Sequence, residues 1–173
     1  MDTSKLSRAE VVEKLNSVPC FTVVNAQKQL VPTHDAGGLE CCCWFSDPAE
    51  AKGALAISKD LCQGKMDVHL GVTPLGEAFA NATGWKLTNS SLPLRLQASQ
   101  AVLQPIDSIL KQQLVAQGLE PGTWRFPVFF CDELQSKRML PIFLSRSDLA
   151  AAWAASGKSE AALPADVTVM DLR

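Results

Sequence analysis

Val18-Pro19-Cys20-Phe21, running on to Trp44-Phe45-Ser46 with Ala51, Ala54 and Leu55 behind it, has a second copy further along the chain. That copy begins Phe126-Pro127-Val128-Phe129, reaches Phe143-Leu144-Ser145, and continues with Ala150, Trp153 and Ala154. Each then leads to a short apolar segment headed by an aspartate, Asp67-Val68-His69-Leu70 and Asp166-Val167-Thr168-Val169. A recurring phrase of this length sets the architecture, because each copy must form the same supersecondary unit. The unit reads as hairpin, helix, strand. A duplicated scaffold without an evident nucleophile or metal cluster reads as a binding body more than as an enzyme.

Working outward, Ser7-Arg8-Ala9-Glu10 is a capping box that opens a helix over about residues 8–16, stopped before Pro19. Cys20–Val24 and Cys41–Phe45 read as strands. Ser46 or Asp47 caps the next helix, with Pro48 in its first turn, where a missing N–H costs nothing. Asp67–Val72 is a strand, and Thr73-Pro74 opens a short helix that ends near Gly84. Leu92, Leu94 and Leu96 alternate with Pro93, Arg95 and Gln97, which predicts a half-buried edge strand. A long helix with Leu103, Ile106, Leu110 and Leu114 on one face follows, and Pro105 either kinks or starts it. The second copy predicts strands at 126–131 and 139–144, a helix at 147–155 and a strand at 166–170, with Lys137-Arg138 in a solvated turn.

The class this predicts is α+β, with two pseudo-symmetric hairpin–helix–strand repeats forming mainly antiparallel sheet and helices packed on it. Residues 1–173 are expected as a single domain with internal duplication. Repeat one covers about 18–84, a connecting strand and long helix about 85–125, and repeat two about 126–173. A chain of this size buries roughly 70% of its unfolded surface and needs no staples.

Composition narrows the function classes. A net charge of −2 with no basic cluster argues against a nucleic-acid surface. The longest apolar run, Leu149–Ala155, falls far short of the roughly 18 residues of a membrane span. Met1-Asp2-Thr3-Ser4-Lys5 carries no apolar core of a secretory signal, and no targeting peptide is visible. Cys41-Cys42-Cys43 must alternate faces along a strand and cannot converge on one metal, and no C-x-x-C pair exists. The six cysteines read as small apolar fillers. His34 beside Asp35 reads as loop, and His69 as the polar face of a strand. No catalytic residue, cofactor or metal ligand is expected, and a thiol enzyme built on Cys20, Cys62 or Cys131 is the weakest alternative. Trp44 and Trp153 occupy matched positions expected to face helices in the core. Trp85 and Trp124 stand in connecting segments, and these two are the candidate protein-binding residues. A site is expected where the copies differ or meet, at the Thr33–Glu40 loop and beside those two tryptophans.

Val18-Pro19-Cys20-Phe21-Thr22-Val23, a polar hairpin, and Trp44-Phe45-Ser46-Asp47-Pro48-Ala49-Glu50-Ala51 together resemble a known family opening. Asp67-Val68 with Leu70 and Val72, Leu94-Arg95-Leu96 before a long helix, Phe126-Pro127-Val128-Phe129 and Pro141-Ile142-Phe143-Leu144-Ser145 with Asp148-Leu149 continue it in order. The pattern, over about residues 10–155, is similar to the twenty-two-kilodalton soluble subunit family of the chloroplast inner-envelope translocon, the Tic22-like family. The resemblance implies a pseudo-twofold body with apolar grooves, a non-enzymatic chaperone-like role in plastid protein import, and a soluble or peripheral plastid location. Its partners would be other proteins, either precursors or a plastid membrane complex. It transfers no catalytic residue. An accessory structural subunit of a larger plastid membrane complex is the alternative it leaves open.

Overall fold

The computed structural model describes residues 6–35, 37–136, 139–164 and 167–173. The readings placed on Met1–Lys5, Lys137-Arg138 and Asp166 lie outside the described residues. The chain divides into two compact units, residues 1–99 and 100–173. Helices and antiparallel strands alternate in both, so the class is α+β.

Unit one opens with α1 (Arg8–Leu15), started by the predicted capping box: Glu10 N donates to Ser7 Oγ at 3.3 Å, and Ser7 N donates to Glu10 Oε2 at 2.8 Å. Then come β1 (Pro19–Asn25), β2 (Thr33–His34), β3 (Glu40–Phe45), α2 (Pro48–Cys62), β4 (Val68–Pro74), α3 (Leu75–Ala82) and β5 (Leu94–Gln97). Asp47 is the residue that caps α2, accepting from Ala49 N at 2.7 Å, with Pro48 at the first position. β1 pairs antiparallel with β4 over seven residues and with β3 at Phe21–Phe45, while β5 joins β3 in parallel.

Side-chain alternation sorts the sheet into two buried faces. Cys41, Cys43, Phe45 and Phe21 pack against Ala51 and Ala54 of α2. Cys42 and Trp44 point to the other face, together with Leu94 and Leu96, their partners on β5. Trp44 is therefore buried away from α2, on the side that α3 covers. Helices thus lie on both faces of this sheet. α1 packs on α3 at Gly76, where a Cβ would collide with the carbonyl of Val12.

β5 corrects one expectation. Arg95 was placed on the polar side of an alternating strand, yet it is only 5% exposed. Its partner on β3 is Cys43, so it lies on the α2 face, and it is ion-paired with Asp35. Arg95 Nε is left without a hydrogen-bond partner among the described residues.

Unit two contains α4 (Gln100–Leu103), α5 (Asp107–Ala116), β6 (Pro127–Phe130), α6 (Arg146–Ala155) and β7 (Thr168–Asp171). The long helix is broken around Pro105, whose ring and missing N–H interrupt the i→i−4 ladder. β6 pairs antiparallel with β7, and Phe129 bridges Phe143. The strand expected at 139–144 reduces to that bridge and one at Ser136–Met139. Pro141 has no N–H to give a ladder. Ser145 caps α6, accepting from Asp148 N at 3.1 Å. The core gathers Phe129, Cys131, Leu149 and Trp153 with Val102, Ile106, Phe143 and Val169. Trp153 Nε1 donates to the Ser159 carbonyl at 2.8 Å, which satisfies its polar end.

In unit one β1 runs antiparallel to β3 and β4, and in unit two β6 runs antiparallel to β7 and meets Phe143 in an antiparallel bridge. The pairing equates different residues from those the repeated phrases suggest. Phe21 lies opposite Phe45 and Phe129 opposite Phe143, so Phe143 corresponds to Phe45 and not to Trp44. Caps Asp47 and Ser145 agree with this one-residue shift, and so do Ala51 and Leu149, each four residues past its cap and fully buried. Val72 of β4 lies opposite Phe21 and Val169 of β7 opposite Phe129, two residues off the match of the repeated phrases.

Candidate functional site

A pocket of about 310 Å3 opens on the sheet face opposite α2. β3 contributes Cys42 and Trp44, and β5 contributes Leu94. Leu30 enters from the turn after β1, Asn81 from the end of α3, and Thr88 and Ser90 from the segment between α3 and β5. The floor is apolar and the rim carries hydroxyls and an amide.

Local hydrogen bonds fix most of these groups. Trp44 Nε1 donates to Thr73 Oγ1 at 3.3 Å, which holds the indole against the sheet. Asn81 Nδ2 donates to the Glu77 carbonyl at 2.8 Å, one turn back in α3. Ser90 Oγ donates to the Leu92 carbonyl at 2.9 Å and accepts from Leu92 N at 3.3 Å, a tight turn that leads into β5. The Cys42 thiol is raised above its ordinary pKa by burial, with further contributions from Cys41 and Glu40, and is lowered only in part by Ser90. A protonated thiol beside leucine and indole behaves as an apolar surface.

The other cysteines are likewise free and, except for Cys62, buried. Burial pushes the Cys20 thiol up to about 12 and raises that of Cys43. Cys41 and Cys43 lie on one face with their sulfurs 3.2 Å apart, as i and i+2 of a strand must. Among the described residues no group of three or more His, Cys, Asp or Glu could hold a metal.

The tryptophans singled out from the sequence lie in different units. Trp85 is half-buried, edge-on to Phe79 with centroids 5.1 Å apart, and the Arg8 guanidinium stands 5.1 Å from its ring. Trp124 is also half-buried, with the Arg173 guanidinium 5.0 Å from its ring. Arg173 is held by Asp171 Oδ1 at 2.9 Å and by the Pro121 carbonyl at 2.7 Å. Each indole thus offers a partly open face beside a fixed cation. Neither lines the pocket. The pocket residues themselves carry no signal in the sequence as a set, because they come from five separate segments.

No family model matches the sequence, and no curated protein matches it. Solved structures do match it in shape. Tic22 from Plasmodium falciparum superposes with a TM-score of 0.63 at 18% identity, covering 94% of this chain and 82% of its own. The fold is Tic22-like. Anabaena Tic22, described as a protein-transport protein, gives a TM-score of 0.57 at 18% identity, covering 97% of this chain and 84% of its own. The Tic22-like fold therefore extends over nearly the whole chain. Among the described residues no helix is long and apolar enough to cross a membrane.

Proposed function

We propose that this chain is a non-enzymatic, chaperone-like protein-binding factor in protein transport of the plastid-import type. It works as a soluble or peripheral plastid protein on an internally duplicated body. The Tic22-like fold over nearly the whole chain carries this reading, since the Anabaena neighbour is described as acting in protein transport. The pocket supports it: an apolar floor of Trp44, Leu94 and Cys42 suits one apolar side chain of a client segment. Burial that keeps the Cys20 thiol protonated supports the absence of thiol chemistry. Trp85 and Trp124 would add contact surface in their own units, each ring already backed by an arginine.

The test is photo-crosslinking from Thr88 at the pocket rim, with an unfolded plastid precursor as client. Adducts that are lost when Asn81→Trp fills the pocket are expected. A chain that forms no adduct with any unfolded precursor overturns the reading. Quantitative co-migration with a large plastid complex on native gels would replace it by the fixed-subunit role.

A further inference from the structure

We propose that the outer edge of β4 is a docking edge for an extended polypeptide segment, which adds to the sheet as one more strand. The inference rests on the protein-binding reading above and names the conformation in which a client is held.

The hydrogen-bond register decides which backbone groups face outward. Val31 N donates to the Val23 carbonyl at 2.9 Å and Asn25 N to the Gln29 carbonyl at 3.0 Å, so the odd-numbered residues of β1 turn their backbone groups away from β4. In an antiparallel pair, residues that exchange hydrogen bonds alternate with residues that do not. The exchanging pairs are therefore Cys20–Thr73, Thr22–Gly71 and Val24–His69. Val68, Leu70 and Val72 consequently aim N–H and C=O at the outer edge. Among the described residues no strand pairs there.

An open edge of this kind is ordinarily blunted by lysine, proline, a bulge or a covering element. Apart from Pro74 at its end, whose missing N–H falls on the outward side, the strand has neither lysine nor proline, and its seven pairs with β1 run without a bulge. Val72 leaves 66% of its surface exposed at this edge. Unit two treats its equivalent edge differently. Phe129 exchanges bonds with Phe143, so Val169 faces outward, and Gln113 Nε2 from α5 donates to its carbonyl at 3.1 Å.

The edge also states what fits it. Donors and acceptors recurring at every second residue are matched by an extended chain and not by a helix. On the α2 side the incoming strand meets Leu70 and Val72, and on the other side His69, Gly71 and Thr73. Apolar residues at alternate positions, with small or polar ones between, complement both faces.

Amide hydrogen exchange by NMR on the full chain tests this, with a short soluble peptide of alternating valine and threonine as probe. In the free protein the Leu70 and Val72 amides are expected to exchange fast, while Gly71 and Thr73 are protected by β1. The peptide should slow Leu70 and Val72 by about tenfold or more. Val72→Pro should abolish the effect on Leu70 while Gly71 stays protected, because β1 does not use the Val72 N–H. The same peptide N-methylated on alternate amides should not slow either residue in the unaltered protein. The proposal is overturned if the peptide leaves both amides unchanged, or if their protection instead grows with protein concentration alone, which would make a second copy the occupant. Unchanged edge amides with Thr88 crosslinks retained would remove the edge and leave the protein-binding reading standing.

Discussion

β4 and β7 each run antiparallel to the first strand of their unit, and their outer edges end differently. Val72 lies opposite Phe21 in one unit as Val169 lies opposite Phe129 in the other. Val169 has its outward carbonyl occupied by Gln113 of α5, while no strand among the described residues pairs with the outer edge of β4. The difference teaches that strand pairing fixes which edge faces outward, but not whether that edge is open. That depends on a neighbouring helix placing one amide side chain at the right height.

A more and a less buried ion pair extend the contrast. Arg95–Asp35 in unit one has side-chain exposures of 6% and 14%, and Arg125–Asp107 in unit two 11% and 25%. Asp35→Asn would leave a buried guanidinium uncompensated and should cost about 3–5 kcal/mol in denaturant unfolding. Asp107→Asn should cost about 1 kcal/mol. Burial pushes the Asp107 carboxyl up, but hydrogen bonds from Lys111 and Arg125 outweigh it and hold the group below its ordinary range. Its contribution is therefore present at neutral pH and lost as pH falls through the lowered value. Equal losses in the two variants would break the comparison.

Strand parity should give the next largest effect. Gly71→Pro removes an N–H that β1 uses and should cost about 3 kcal/mol or more. Val72→Pro, one residue on, falls on the outward side and should cost about 1 kcal/mol or less, because edge positions tolerate proline. Urea melts of the two variants would measure this, and a reversed order would show that the assigned register is wrong.

Gln113→Ala should cost about 1 kcal/mol, the net worth of one hydrogen bond. It should also open the β7 edge, so that the valine–threonine peptide now slows exchange at Val169. Persistent indifference of Val169 to the peptide would mean that something besides Gln113 closes that edge.

A further contrast comes on strong alkalinisation. Cys20 has a folded pKa raised from 9.0 to about 12, so its contribution is intact below pH 9 and is lost as pH rises toward 12. Cys41, Cys42 and Cys43 are raised in the same sense, whereas unit two holds only Cys131. Thiol trapping followed by mass spectrometry should therefore label Cys20 and Cys41–Cys43 before Cys131, with the half-buried Cys62 set aside. Simultaneous labelling of Cys131 would count against the difference.

Much of this was legible in the residues. Ser7, Asp47 and Ser145 cap helices because short polar side chains bond free N–H groups locally, and local chemistry can be read from local sequence. Pro105 marked the break between α4 and α5 for the same reason. The phrases set Trp44 against Phe143, whereas the pairing sets Phe45 there, because Cys41–Phe45 is buried on both faces and an unbroken apolar run carries no alternation to set its phase. Arg95 was misplaced because its burial depends on Asp35, sixty residues earlier in the chain, which no window around β5 contains. Of the candidate site, Trp85 and Trp124 stood out as aromatic residues in connections. Asn81, Thr88 and Ser90 carry no such signal, since they meet Trp44 only once α3 has folded over the sheet.

Gly76 has a consequence for measurement. With a bare hydrogen there, α1 rests against α3 at backbone distance, and Arg8 is carried to the ring of Trp85. The spacing between two helices is thereby converted into the electric field at an indole. The emission colour of Trp85 becomes an optical gauge of that spacing, one that a single added methyl group at Gly76 would move.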